Sequence, residues 1–163
     1  MNAQVVIAVL VGLAAIVDDL WRRRISNWIS ATALAAGLIW QLSENGLPGI
    51  LYGVGGAVVG FVVFLVFYVL GGMGGGDVKL MTGFGALLGA GRLLEAALWT
   101  AGVGGLLALG VLAVRAVRRK LTGKGSGAGL PEKLPEQEAE RRESIPYAPA
   151  IALGVWLSLV PPG

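Results

Sequence analysis

Three aspartates are placed where an acid is costly. The 163-residue chain has ten acidic residues, and seven of them, Glu44, Glu95, Glu132, Glu136, Glu138, Glu140 and Glu143, fall between apolar runs or in one polar segment. Asp18 and Asp19 instead close the first apolar run, and Asp77 opens a later one. An Asp in a membrane helix costs about 2.5 kcal/mol or more, so such a residue is a functional candidate by default. Two carboxyl groups facing each other cannot both ionise cheaply, and they share a proton. The ionised partner can then take a proton from water while the protonated partner polarises a peptide carbonyl. That is hydrolysis of a peptide bond by a carboxyl pair. The chain has no Cys and no His, which excludes disulfides, a thiol nucleophile, a Ser-His-Asp triad and any His- or Cys-ligated metal site. The carboxyl chemistry needs none of these and calls for no cofactor. A purely structural use is also open: Asp77 can cap a helix, and Asp18 or Asp19 can pair with Arg22 or Arg23 one turn on.

A glycine run, Gly71-Gly72-Met73-Gly74-Gly75-Gly76, directly precedes Asp77. It frees the backbone from Cβ sterics, and an extended peptide can lie against such a backbone and pair with it. A plain flexible connector would look the same. A phosphate cradle would not, because no Gly-Lys-Ser/Thr follows.

The elements that must position these residues are apolar helices. Hydrophobic residues make up 55% of the chain and charged residues 14%, with a mean hydropathy of +0.74; ordinary soluble domains carry about 25% charge. The 27 glycines show no collagen-like period and suit closely packed membrane helices. Six stretches have the length and apolarity of bilayer-crossing helices or approach it: Ala3–Leu20, Trp28–Leu42, Leu47–Leu70, Val78–Leu94, Ala96–Val114 and Ile145–Pro162. The start of the chain does not read as a cleavable signal, because Met1–Gln4 carries no positively charged side chain and no A-x-A site directly follows the first apolar run; the basic cluster Arg22–Arg24 after that run favours an outside N-terminus. The fold class expected is therefore all-α: one polytopic membrane domain over 1–163, with about six transmembrane helices.

Charge orients these helices. With six crossings, twelve of the thirteen basic residues fall on one side, and only Arg92 falls on the other. The positive-inside rule makes the basic side cytosolic and puts both termini outside. Asp19 and Asp77 then share the cytosolic membrane level. The polar segment 115–144 becomes a cytosolic loop between helices five and six, with its basic start addressed to lipid head groups. The basic residues flank apolar runs, which points to the bilayer as partner and not to nucleic acid.

The motifs carry a family resemblance. Gly74-Gly75-Gly76-Asp77-Val78-Lys79-Leu80 resembles the GxGD-x-K-L signature of the type IV prepilin peptidases, which are intramembrane aspartic proteases. Asp19-Leu20-Trp21-Arg22-Arg23-Arg24-Ile25-Ser26-Asn27 is similar to that family's first motif, an Asp followed six to eight residues later by Ile-Pro-Asn. Glu143-Ser144-Ile145-Pro146-Tyr147-Ala148-Pro149-Ala150 resembles its late motif before the last helix. The resemblance implies Asp19 and Asp77 as the catalytic pair, Gly74 and Gly76 as shapers of the substrate-binding loop, and Asn27, Lys79 and Pro146 as supporting positions, with no metal. It implies cleavage of the short basic leader of a prepilin or pseudopilin, whose apolar helix is the partner, at the cytosolic face of the bacterial inner membrane. Ser26 stands where the family has Pro, and Ser can still cap the helix that follows. Larger members carry a Cys-rich insertion between the early segments and also N-methylate the product. This chain has neither Cys nor that insertion, and it resembles the compact branch found with tight-adherence (Flp-type) pili. Two other functions fit a small helical membrane protein: a non-catalytic assembly subunit of a pilus or secretion system, and a small transporter. A transporter would place its acids near mid-membrane, whereas here all three lie at one end.

The topology has a direct test in this cysteine-free chain. Single cysteines introduced near Gly46 or Arg92 are expected to react with an impermeant thiol reagent in intact cells, and cysteines near Met73 or Ser126 are not. Labelling at Ser126 from outside would overturn the six-crossing arrangement.

Overall fold

A computed structural model describes residues 3–71, 73–121 and 147–160. These form four helices in chain order: α1 (Ala3–Arg22), α2 (Asn27–Val69), α3 (Gly75–Leu121) and α4 (Ala148–Ser158). No strand occurs among the described residues. The first helix is built by the run Val5–Val17 and ends at Arg22; Arg23 then adopts a left-handed φ of 51° and its N–H closes the last turn on the Asp19 carbonyl at 2.8 Å. A left-handed residue halts a right-handed helix. Helices α1, α2 and α3 are long and apolar enough to cross a membrane; α4, with 11 residues, is a shorter apolar helix.

Two glycines break the long helices. Gly46 has φ 62° and ψ −148°, and Gly89 has φ 75° and ψ 168°, a region of backbone space that belongs to glycine. Both breaks fold the chain back on itself. After Gly46, Gly53 lies against Leu38 and Gln41 of the same helix; around Gly89, Met81 and Leu93 both meet Gly60. A straight helix would hold Met81 and Leu93 about 18 Å apart along its axis. The two long elements are thus helical hairpins, and the described residues form six rods: 3–22, 27–45, 47–69, 75–88, 90–121 and 148–158. Pro48, in the first turn after the Gly46 break, is tolerated where an N–H has no helical partner anyway.

The sequence boundaries shift in two places. The fourth and fifth segments were expected to part near Glu95; they part at Gly89, because a positive φ with no side chain to accommodate, and not charge, sets the turn. The polar segment was expected to begin at residue 115, yet α3 continues to Leu121. The rest of that segment, 122–144, and the ends of the sixth stretch lie outside the described residues.

Burial identifies a central rod. Residues 83–89 at the top of α3's first half are all buried, and Phe84, Leu80, Met81, Leu87, Leu93, Ile151 and Val155 are the largest fully buried side chains. Around this rod pack α2, by far its most extensive partner, and α4. The outer helices instead expose Leu13, Val17, Phe61, Val62, Leu98 and Leu106. That much outward apolar surface belongs to a protein solvated by lipid. Backbone contact between Gly56 and Gly85 lets α2 and α3 close together: a Cβ on either residue would collide with the other's carbonyl, the small-residue interface expected of membrane helices.

This contact predicts a contrast. Gly85→Val and Gly56→Leu should destabilise the protein by roughly 1–3 kcal/mol or more through overpacking, read as a lowered melting temperature in detergent. Gly55→Ala, beside it in open space, should be nearly neutral. Equal effects at Gly55 and Gly56 would contradict the packing described.

Candidate active site

The site lies at the end of the bundle opposite the Gly46 and Gly89 turns. Asp19 is in the last turn of α1 and is 7% exposed; Asp77 is the third residue of α3 and is 8% exposed. They come from the outer helix and from the central rod, and Ile25, in the turn after α1, packs on Gly76 beside Asp77. The topology thus brings together two buried carboxyl groups separated by 58 positions of sequence.

Each carboxyl group is held by a backbone donor. The Ala148 N–H at the start of α4 donates to Asp19 Oδ2 at 3.1 Å. The Gly74 N–H donates to Asp77 Oδ2 at 3.1 Å. Asp77 therefore does cap its own helix, in the capping-box manner: a carboxylate in the first turn reaches back to the residue before the helix. One oxygen of each carboxyl group is engaged in this way. Capping and chemistry are compatible, since a carboxyl group has two oxygens and several lone pairs.

The adjacent pair Asp18 and Asp19 separates cleanly. Successive residues of a helix point about 100° apart. Asp19 turns inward to α4. Asp18 turns to the chain reversal after α1, where its Oδ2 accepts the Ser26 N–H at 2.7 Å and its Oδ1 pairs with Arg22 Nε at 3.4 Å. One of the expected Asp–Arg pairings one turn on, Asp18 with Arg22, is thus made.

The remaining predicted positions gather at the same end. Lys79 Nζ donates to Asn27 Oδ1 at 2.9 Å, joining the start of α2 to the start of α3. Gly74 borders the Asp77 carboxylate, and Gly76 packs on Ile25: Cβ atoms there would come within 3.3 Å of Asp77 Oδ2 and 3.2 Å of the Ile25 Cβ. Pro146 lies outside the described residues. Ser26 corrects one expectation. It stands at the N-cap position of α2, with φ −64° and ψ 138°, but its hydroxyl makes no capping hydrogen bond. Its backbone N–H is used instead, by Asp18.

Sequence reasoning missed two contributors. Ala148 acts through its main chain, which no side-chain pattern reveals. Ile25 is a buried apolar residue among exposed arginines; its apolar character was visible in the Arg24-Ile25-Ser26 stretch, but its seat against Gly76 was not.

The sequence model of the type IV leader peptidase family matches residues 6–109, a span that contains Asp19, Asn27, Gly74, Gly76, Asp77 and Lys79. No curated protein and no solved structure matches the chain significantly. The family match covers most of the chain, and its span holds both buried aspartates and their glycine loop. This helical membrane protein therefore belongs to the type IV leader peptidase family and is a protease.

Proposed function

We propose that the protein is an aspartic endopeptidase that removes the short basic leader from prepilins or pseudopilins at the cytosolic face of the bacterial inner membrane. The observation that carries this reading is the pair of buried carboxyl groups at one end of the bundle, each fixed by a backbone N–H. Asp19 and Asp77 share one proton. The ionised member takes a proton from a water molecule as that water's oxygen attacks the scissile carbonyl carbon. The protonated member gives its proton to the carbonyl oxygen as the tetrahedral intermediate forms. Collapse of the intermediate breaks the C–N bond: the leaving amine takes a proton from one member as a hydroxyl of the intermediate gives its proton to the other, which leaves the pair again with one proton. The fixed donors hold both carboxyl groups in place, which lowers the barrier through positioning.

The substrate's apolar helix enters from the bilayer, and the segment to be cut lies along the Gly74–Gly76 backbone. The gathering of basic residues on the side of the aspartates in a six-crossing arrangement supports a cytosolic site. The two glycine breaks support that arrangement, because each reverses the chain at the end away from the aspartates. The absence of cysteine and the short connection between α1 and α2 support assignment to the compact, Flp-associated branch, cleaving without methylating.

Purified protein in detergent, given a prepilin, tests the assignment. Asp19→Asn and Asp77→Asn should each lower kcat/KM by on the order of a thousandfold or more while the protein still inserts and folds. Asp18→Asn should retain most activity. A dead Asp18→Asn with an active Asp19→Asn would reverse the assignment, and full activity in all three would exclude a carboxyl-pair mechanism.

A further inference from the structure

The end of α1 and the start of α3 carry the two buried carboxyl groups, yet α1 packs chiefly on α4 and makes sparse contact with α2 and α3. Something other than helix-on-helix packing must set the distance between them. The chain reversal from Arg23 to Ser26 is placed to do so. It contains two exposed arginines, of which Arg23 is in a left-handed conformation, and only Ile25 in it is buried. Ile25 is seated on Gly76, next to Asp77. Whatever fixes this turn therefore fixes how the α1 end bears on the loop that holds Asp77.

The group that fixes it is Asp18. Its side chain is 13% exposed, its Oδ2 takes the Ser26 N–H at 2.7 Å, and its Oδ1 pairs with Arg22. We infer that Asp18 is a positioning residue of the site: through the Ser26 N–H it clamps the turn so that Ile25 presses on Gly76 and holds Asp77 in register with Asp19. The inference rests on the peptidase reading for its activity readout, but the clamp itself is a geometric statement.

Ser26 shows how the clamp can be replaced. Its φ of −64° is the angle to which a proline ring locks the backbone, its ψ of 138° is compatible with proline, and Ile25 before it lies outside any helix. A proline there has no N–H to donate and needs none, since the ring itself holds φ. Asp18 with a serine N–H, or a proline alone, are two solutions to one constraint. The Asp-Asp pair at the end of α1 then has divided work: Asp19 faces the reaction, and Asp18 holds the turn.

The test is a double-mutant cycle in the full-length protein, with Asp18→Ala, Ser26→Pro and the two combined. Loss of a hydrogen bond to a charged group should lower kcat about tenfold in Asp18→Ala, with KM nearly unchanged, because the substrate's contacts remain. Ser26→Pro alone should stay near wild type, and adding it to Asp18→Ala should restore the rate. Asp18→Asn, whose amide oxygen can still accept the Ser26 N–H, should lose little. A second readout needs no substrate: the cysteine pair Ile25→Cys/Gly76→Cys should oxidise to a disulfide quickly when Asp18 is present, slowly with Asp18→Ala, and quickly again with Ser26→Pro added. If the wild type cleaves no prepilin, the peptidase reading falls, and the cross-linking rates still decide the clamp. An equal loss from Asp18→Ala in the serine and proline backgrounds, or no change in rate and cross-linking, would overturn it.

Discussion

Two carboxyl groups sealed inside an apolar helical protein each need a donor, and a chain with no His and few side-chain donors in its core must draw those donors from the backbone. Helix starts are where unpaired N–H groups are found. Asp77 takes the one before its own helix. Asp19 takes the first N–H of α4, 129 positions away. That second bond ties the first rod to the last. An unpaired buried carboxylate costs several kcal/mol, so this arrangement constrains the fold as much as the core does.

The core delivers the partner. Asp77 heads the most deeply buried rod, and that rod fits inside the bundle because its neighbours approach on glycine. Gly56 meets Gly85 backbone to backbone, and Gly37 and Gly60 also lie against main-chain atoms of the central rod. The Gly46 break returns α2 to the site end, so that Lys79 at the start of α3 meets Asn27 at the start of α2. Side-chain amides of Gln4 and Gln41 donate to the Leu87 carbonyl, two residues before the Gly89 break. That break leaves carbonyls without helical donors, and these amides satisfy one of them. The two ends of the bundle thus divide the labour: polar side chains close the turns at one, and backbone donors hold the acids at the other.

Much of this was legible in the residues. An acid in an apolar run is conspicuous, so Asp18, Asp19 and Asp77 could be singled out by cost alone, and the glycine run marked the loop beside Asp77. The apolar runs gave the helices, and the family match bears out the resemblance that the motifs suggested. Other features were hidden for physical reasons. Gly89 and Gly91 look alike in sequence, and only the ring of Tyr52 packed on Gly89, with its positive φ, shows which one turns the chain. The Ala148 donor is a main-chain N–H, a group that every residue except proline possesses. Ser26 invited a reading as a hydroxyl cap, whereas its amide is the group in use.

The account stands on the juxtaposition of Asp19 and Asp77, and the cysteine-free chain allows it to be measured directly. In the membrane-inserted double variant Asp19→Cys/Asp77→Cys, a short bifunctional thiol reagent should join the two positions quickly and intramolecularly, while Asp18→Cys/Asp77→Cys should join far more slowly. Cross-linking of the first pair only by a reagent long enough to reach across the bilayer would put the carboxyl groups at different membrane levels and contradict the site described.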